Sequence, residues 1–413
     1  MLKTNKISVR DRIRGLIHRW LKTISWGLAG FAFFLQLGFA HAQEPIIIGV
    51  SLGLTGQFAG ITDMLKNGFL LWERDVNQSG GMLGRRVQLL IHDDRSDPKT
   101  ARLLYERMID KDRVDFLFAP YSTKLTEAIL PLTENRRFPV LVAGASGDSL
   151  WEKGYRYAVG VYTPSNKFIA GFLELLIESD IDKLAVFSAD DSFSKDLAAS
   201  TKIWSRRFGL KIVAFHYFEK GLQDLVPLAR QARQEGAAVV IVCGHLEEAL
   251  NMRAALKRIN WYPRAYYASV GAALDTFRDQ LGQDANHVFS TSLFEAQARL
   301  PGAKRFFDDF SAAYQQPPGY HAGLAYAGGQ VLAAAVRIAD SLDREKIREA
   351  LFAMDIMTII GRYGVDPTGR QIRQQSYITQ WQKGQKEIVW PESVKTAAAI
   401  FDPNPAQADP SKE

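Results

Sequence analysis

Val114-Asp115-Phe116-Leu117-Phe118-Ala119-Pro120-Tyr121-Ser122-Thr123 is the stretch on which the reading of this chain turns. A short apolar run rich in aromatic and β-branched residues ends at a proline, and two hydroxyl residues open an amphipathic stretch. Strand, tight loop, helix is the order a parallel sheet requires, because parallel neighbours can be joined only by a crossover connection. A second strand followed by a loop of small and hydroxyl residues occurs at Phe138-Pro139-Val140-Leu141-Val142-Ala143-Gly144-Ala145-Ser146-Gly147.

Outward from these two stretches, apolar runs at 46–50, 87–91, 114–118, 140–142, 184–187, 212–215, 238–242 and 288–290 predict strands. Amphipathic segments at about 61–77, 99–111, 123–136, 165–179, 193–208, 223–235 and 246–259 predict the helices between them. Longer helices follow at about 303–315, 320–341 and 344–353, then a turn-rich section near 361–369 and a strand pair at 376–381 and 386–389. The fold class is therefore α/β with parallel sheets. The strand and helix alternation runs twice, over 45–145 and 183–270, with no Pro/Gly-rich linker between, so two similar lobes that later segments revisit are expected.

Charge is distributed unevenly. The 413 residues include 51 Lys and Arg and 45 Asp and Glu, for a formal charge of +6. Residues 1–42 hold seven of the bases and the single acid Asp11, which leaves 44 of each sign in the remainder. The net positive charge belongs to the N-terminus and is no argument for a nucleic-acid surface. With 47% hydrophobic and 23% charged residues, the bulk of the chain has the composition of a folded protein, and its length suits two domains. The tail 402–413, which has no apolar residue larger than Ala or Pro, is expected to be disordered.

The N-terminus reads as an address. Seven bases precede the uncharged run 24–39, and Ala40-His41-Ala42 offers a peptidase small residues at both required positions. A signal peptide over 1–42, cleaved before Gln43, is expected; the alternative is an uncleaved membrane anchor, and either reading implies export to the periplasm. The one cysteine, Cys243, closes the apolar run 237–242 and reads as a buried strand end, so no internal disulfide forms.

Catalytic motifs are weak. Gly49-Val50-Ser51-Leu52-Gly53 matches a nucleophile elbow, but it follows the first strand, whereas the elbow's oxyanion hole needs a loop after an earlier one. A Gly/Ser turn at the strand's C-terminal edge is the preferred reading, and a hydrolase using Ser51 the remote alternative. His92-Asp93-Asp94-Arg95-Ser96-Asp97-Pro98 could hold a metal, yet helix capping by Asp97 ahead of Pro98 accounts for much of it, and Asp190-Asp191-Ser192 reads the same way. The chain has no P-loop and no histidines at metal-binding spacing, so no catalytic residue, cofactor or metal is assigned. Two loops carry more information. Tyr121-Ser122-Thr123 and Gly144-Ala145-Ser146 each follow a strand, where ligands bind in open α/β sheets, and hydroxyls beside a helix N-terminus favour an anion.

From Ile48 onward the chain resembles the exported solute-binding proteins of branched-chain amino acid ABC transporters and their amide- and urea-binding relatives. The matches run in order through Leu54-Thr55-Gly56, Asn77-Gln78-Ser79-Gly80-Gly81-Met82-Leu83-Gly84-Arg85-Arg86, Asp93-Asp94 with Asp97-Pro98, and Pro120-Tyr121-Ser122. They continue through Ala128 with Pro131, Phe138-Pro139-Val140, Ala325-Tyr326-Ala327 and Asp366-Pro367-Thr368-Gly369-Arg370. The resemblance implies a type I periplasmic binding protein: two Rossmann-like lobes, about 44–164 plus 292–370 and 165–291 plus 371–401, joined by three crossover segments. It implies a non-catalytic monomer that captures a small-molecule ligand by hinge closure and delivers it to a membrane ABC permease. A sensor subunit with the same fold is the competing class.

By the same resemblance, a ligand carboxylate would meet Ser122 or Thr123 and Ser146, with Tyr121 and the backbone of Gly144 or Ala145 beside them. Phe193, Tyr162 and His245 would cover it. Relatives that bind amino acids pair the ligand's ammonium with an acid of the second lobe. Val270 stands at that position here, and Phe193-Ser194 replaces the usual Tyr-Gly. These departures favour an apolar or aromatic carboxylate, or an amide. Glu247 and Glu248 are candidate substitutes for the acid but are expected on a solvated helix face.

Overall fold

The computed structural model describes residues 44–402. The expected signal peptide and all but the first residue of the expected disordered tail lie outside the described residues.

Five parallel strands form the first sheet: β1 (Ile46–Leu52), β2 (Val87–Asp93), β3 (Phe116–Phe118), β4 (Val140–Val142) and β5 (Ala158–Gly160), in the order β2-β1-β3-β4-β5. Helices cover it on both faces, so its strands read as near-continuous apolar runs rather than alternating ones. In β1 only Ile47 is not buried. The chain then builds β6 (Lys183–Ala189), β7 (Lys211–Phe218), β8 (Val239–Cys243), β9 (Ala265–Tyr267) and β10 (Val288–Ser292). A two-stranded ribbon of β11 (Ile356–Thr358) and β12 (Gly361–Tyr363) precedes β13 (Tyr377–Gln382) and β14 (Gln385–Trp390). The second sheet runs β14-β13-β10-β9-β8-β6-β7, parallel from β10 to β7 and antiparallel at the β13 and β14 edge.

After β10 the chain returns to the first sheet. Helix Tyr320–Ala339 packs along helix Ala59–Gln78, and two glycines set how close they come. A Cβ on Gly68 would lie 2.3 Å from the Ala322 carbonyl oxygen, and one on Gly329 would lie 2.1 Å from the Trp72 indole. Neither position admits a side chain without separating the helices.

Three segments therefore cross between the sheets, and two buried glutamines tie them together. Gln374, on the third crossing, accepts the Thr163 N–H of the first at 2.9 Å and donates to the Leu293 carbonyl of the second at 3.3 Å. Gln371 donates to the Val161 carbonyl at 3.1 Å. Side-chain amides here satisfy backbone groups that no sheet ladder reaches.

Most expected elements are present, with one correction. Ser51 lies inside β1, paired with His92 of β2, rather than in a turn; its side chain is fully buried and its hydroxyl donates to Asp94 at 2.7 Å. A Ser held in the sheet interior has no access to substrate. The helix expected at about 123–136 is present as Thr123–Asn135. Strands β5 and β9 were not anticipated.

Candidate functional site

Strands β3 and β4 pair directly, Leu117 with Val140 and Phe118 with Leu141, so the loops at their C-terminal ends lie side by side. Gly144 makes this possible: a Cβ there would sit 3.2 Å from the Pro120 carbonyl oxygen and 3.3 Å from the Tyr121 Cα. Ser122 occupies the N-cap of helix Thr123–Asn135, yet its hydroxyl makes no capping bond. Thr123 accepts the Gly147 N–H at 3.1 Å, which leaves its own hydroxyl proton free to donate. The Ser146 carbonyl accepts the Ser165 N–H at 2.7 Å, fixing the second loop to the first crossing. One wall of the cleft thus presents three small hydroxyls around a helix N-terminus, an arrangement suited to a negative charge.

The facing wall comes from the second lobe. Phe193 opens helix Ser192–Arg207, His245 caps helix Leu246–Arg258, and Val270 follows β9. The Phe193 ring lies 5.2 Å from that of His245 and 6.2 Å from that of Phe168. The two walls enclose a cavity of about 330 Å3, its open part included. All ten residues singled out in the sequence line it: Tyr121, Ser122, Thr123, Gly144, Ala145, Ser146, Tyr162, Phe193, His245 and Val270. Phe168, Leu293 and Tyr320 line it too and were not anticipated. They sit on the first crossing, on the second crossing and at the start of a core helix, where an apolar residue reads as ordinary packing.

The electrostatics of the cavity are one-sided. Among the described residues no Asp or Glu lines it. One second-lobe acid, Asp191, stands against His245, with Oδ1 3.7 Å from the His245 Nε2. Burial would raise its pKa, but contacts with His245, Lys220 and Ser194 hold the carboxyl well below the usual carboxylate range. Asp191 also caps helix Ser192–Arg207 through the Ser194 N–H at 3.2 Å and accepts the Ser194 hydroxyl at 2.7 Å. It is committed to its own lobe. Glu248 is buried rather than solvated as expected, because it completes a capping box: its carboxylate accepts the His245 N–H at 2.8 Å and the Gly221 N–H at 3.2 Å. Glu247 is exposed, and neither acid lines the cavity. His321, buried beside Tyr121 and Tyr320, is pushed down to about 3 by burial, with His245 adding to the effect, and stands neutral.

Elsewhere, the acids of 92–97 are engaged within the chain. Asp93 accepts the Thr55 hydroxyl at 2.7 Å, and Asp97 caps helix Pro98–Asp110 through the Thr100 N–H at 2.8 Å. Cys243 is buried at the end of β8.

The profile of the periplasmic binding protein family matches residues 45–386. The chain belongs to that family. Among similar periplasmic binding proteins is the leucine-, isoleucine-, valine-, threonine- and alanine-binding protein of Pseudomonas aeruginosa. It is 26% identical over 360 residues, which span 86% of this chain and 94% of that one. The leucine-binding protein of Thermotoga maritima superposes with a TM-score of 0.77 at 20% identity, over 88% of this chain and 99% of the other. A solute-binding protein of an ABC transporter from R. palustris, solved with benzoate, gives 0.75 at 16% identity, over 86% and 99%. These likenesses extend through both lobes and all three crossings.

Proposed function

We propose that this periplasmic binding protein captures a small organic carboxylate that carries no ammonium group, and hands it to the membrane permease of an ABC transporter. One observation supports the reading above all. The wall that would hold a carboxylate is equipped with Ser122, Thr123, Ser146 and a helix N-terminus, whereas the wall that would hold an ammonium offers Val270, Phe193 and no acid. A buried ammonium with no countercharge costs several kcal/mol. An apolar or aromatic body against Val270, Phe193 and Phe168 is favourable by about 25 cal/mol for each Å2 it buries. Binding would close the two lobes about the three crossings, and the closed form would be what the permease recognises. The R. palustris structure shows this fold with an aromatic carboxylate bound; the P. aeruginosa relative is named for amino acids.

Thermal unfolding with a ligand panel tests the reading. At about 100 times its dissociation constant a ligand adds roughly 2.7 kcal/mol, enough to raise the midpoint by several degrees. Aromatic and aliphatic carboxylates should shift the midpoint, and leucine, valine and alanine should not. A strong shift with leucine would refute the reading.

A further inference from the structure

One side chain that lines the cavity can gain a positive charge. Among the described residues no Lys or Arg lines it, and His245 is its one imidazole. A carboxylate drawn from water into this cleft meets hydroxyls and a helix N-terminus but no fixed cation. We propose that His245 supplies the missing charge, taking up one proton as the ligand's carboxylate enters and releasing it as the ligand leaves, so that the site selects monoanions over their neutral amides and over amino acids. The proposal rests on the carboxylate reading of the cavity and adds the residue that sets its selectivity.

Three observations carry it. First, His245 lines the cavity and also stands at ion-pair distance from an acid, its Nε2 3.7 Å from the Asp191 Oδ1. A charged ring would lie between that carboxylate and the arriving one, whereas a neutral ring would leave two like charges close together with nothing to offset them. Second, the His245 Nδ1 is buried and has no hydrogen-bond partner in the chain. A proton there displaces no existing bond. Third, the groups around the ring pull in opposite directions. The positive end of helix Leu246–Arg258 works against a charge on His245, while Glu247 and Glu248 in its first turn work for it. Glu248 already accepts two backbone N–H groups, Glu247 accepts from Gln223, and Lys220 lies 3.9 Å from Asp191 and draws on that same carboxylate. On the first-lobe side stand Tyr121, Tyr320 and His321. Burial pushes both phenols above their usual range and holds His321 neutral, so none of the three supplies a charge. The arriving carboxylate is what tips this balance toward imidazolium. Asp191 acts through His245, as a positioning residue.

The experiment is calorimetry on the purified protein between pH 6 and 8.5, with benzoate, phenylacetate, butyrate and hexanoate as probes, each beside its amide. These acids stay ionised throughout that range, so the ligand itself adds no titration. Repeating the measurement in buffers of different ionisation enthalpy counts the protons bound. The acids should bind with uptake of up to one proton and weaken about tenfold or more from pH 6 to 8.5. At pH 6 each acid should bind about tenfold or more tightly than its amide. His245→Gln should abolish the proton uptake and bring acid and amide within about threefold of each other. Asp191→Asn, which can still cap its helix, should move the loss of affinity to lower pH. Asp148→Asn should leave the proton uptake as it is, which sets aside the buried carboxyl on the neighbouring loop as its source. If acids bind with no proton uptake, if His245→Gln retains it, or if amides bind as tightly as acids at pH 6, His245 is only a covering ring and the proposal falls. If no acid binds, the carboxylate reading has failed and the proposal falls with it.

Discussion

The main-chain N–H of Ser149 in the first lobe donates to the Asp196 carboxylate of the second at 3.1 Å. The contact is possible because Gly147 leaves room beside it: a Cβ there would lie 2.7 Å from the Asp196 Oδ2 and 2.5 Å from the Thr123 Cγ2. Gly147→Ala should hold the lobes apart at this seam and displace Thr123. Ligand affinity measured by calorimetry should fall by about tenfold or more, since closure and the hydroxyl contact are both lost.

Val270→Asp would place an acid where the second lobe now offers a methyl surface. With no cation beside it, the buried carboxylate should lower the unfolding midpoint of the free protein, at a cost of about 1–3 kcal/mol. Binding of free carboxylates should weaken by more than tenfold through like-charge repulsion, and leucine should begin to raise the midpoint. Loss of carboxylate binding together with gain of leucine binding is the informative pair.

Ser122→Ala removes a hydroxyl that the structure does not use for capping. Stability should change little, whereas carboxylate affinity should drop roughly 10- to 100-fold, as expected for one charge-assisted hydrogen bond of about 1.5–3 kcal/mol. Calorimetry gives the affinity and denaturant unfolding the stability; a drop in both would assign Ser122 to the fold alone.

Gln374→Leu keeps volume at the crossings but strands the Thr163 N–H and the Leu293 carbonyl. Each buried group left without a partner costs about 1–3 kcal/mol. Denaturant unfolding should show a loss of a few kcal/mol, larger than for any single substitution at the mouth of the cleft.

Two buried carboxyls link stability to pH. Burial lifts both Asp94 and Asp148 to about 6, above an unfolded value near 3.8. For an acid raised in the folded state, the favourable contribution is complete below about 3.8 and lost as pH rises through about 6. Each therefore contributes on the order of 3 kcal/mol in favour of mild acidity. The buried neutral His321, held near 3 against an unfolded value near 6.5, acts in the opposite direction over the same window, so the test is the difference between proteins. As pH falls from about 6 to 4, the unfolding midpoint of Asp148→Asn should drop relative to that of the unsubstituted protein. A difference that stays constant with pH would remove Asp148 from the account.

The sequence made the first lobe's loops legible because their chemistry is local. A strand that ends in Pro120-Tyr121-Ser122-Thr123 predicts both a sheet edge and an anion-friendly helix start. The strands β5 and β9 were not legible for the opposite reason. Each has three residues, Ala158-Val159-Gly160 and Ala265-Tyr266-Tyr267, too few for any periodicity, and each is fixed by pairing with neighbours distant in sequence. Ser51 misled because a Gly-x-Ser-x-Gly spacing looks like a turn, whereas Val50 and Leu52 are buried strand residues. Phe168, Leu293 and Tyr320 reach the cavity only through the crossings and the returning helix, a matter of topology. Glu248 went unread because a capping box looks like a solvated acid until the helix is placed.

The single sulfhydryl has a practical consequence. Cys243 is wholly enclosed at the end of its strand, and burial pushes its thiol up to about 12, so alkylating reagents will find almost no thiolate there. The folded protein is a silent background for labelling chemistry. A cysteine introduced at Thr276, exposed in the second lobe's helix Asp275–Leu281, would be the sole attachment point for an environment-sensitive dye. Its emission would report lobe movement directly and turn this chain into an optical sensor for whatever solute it carries.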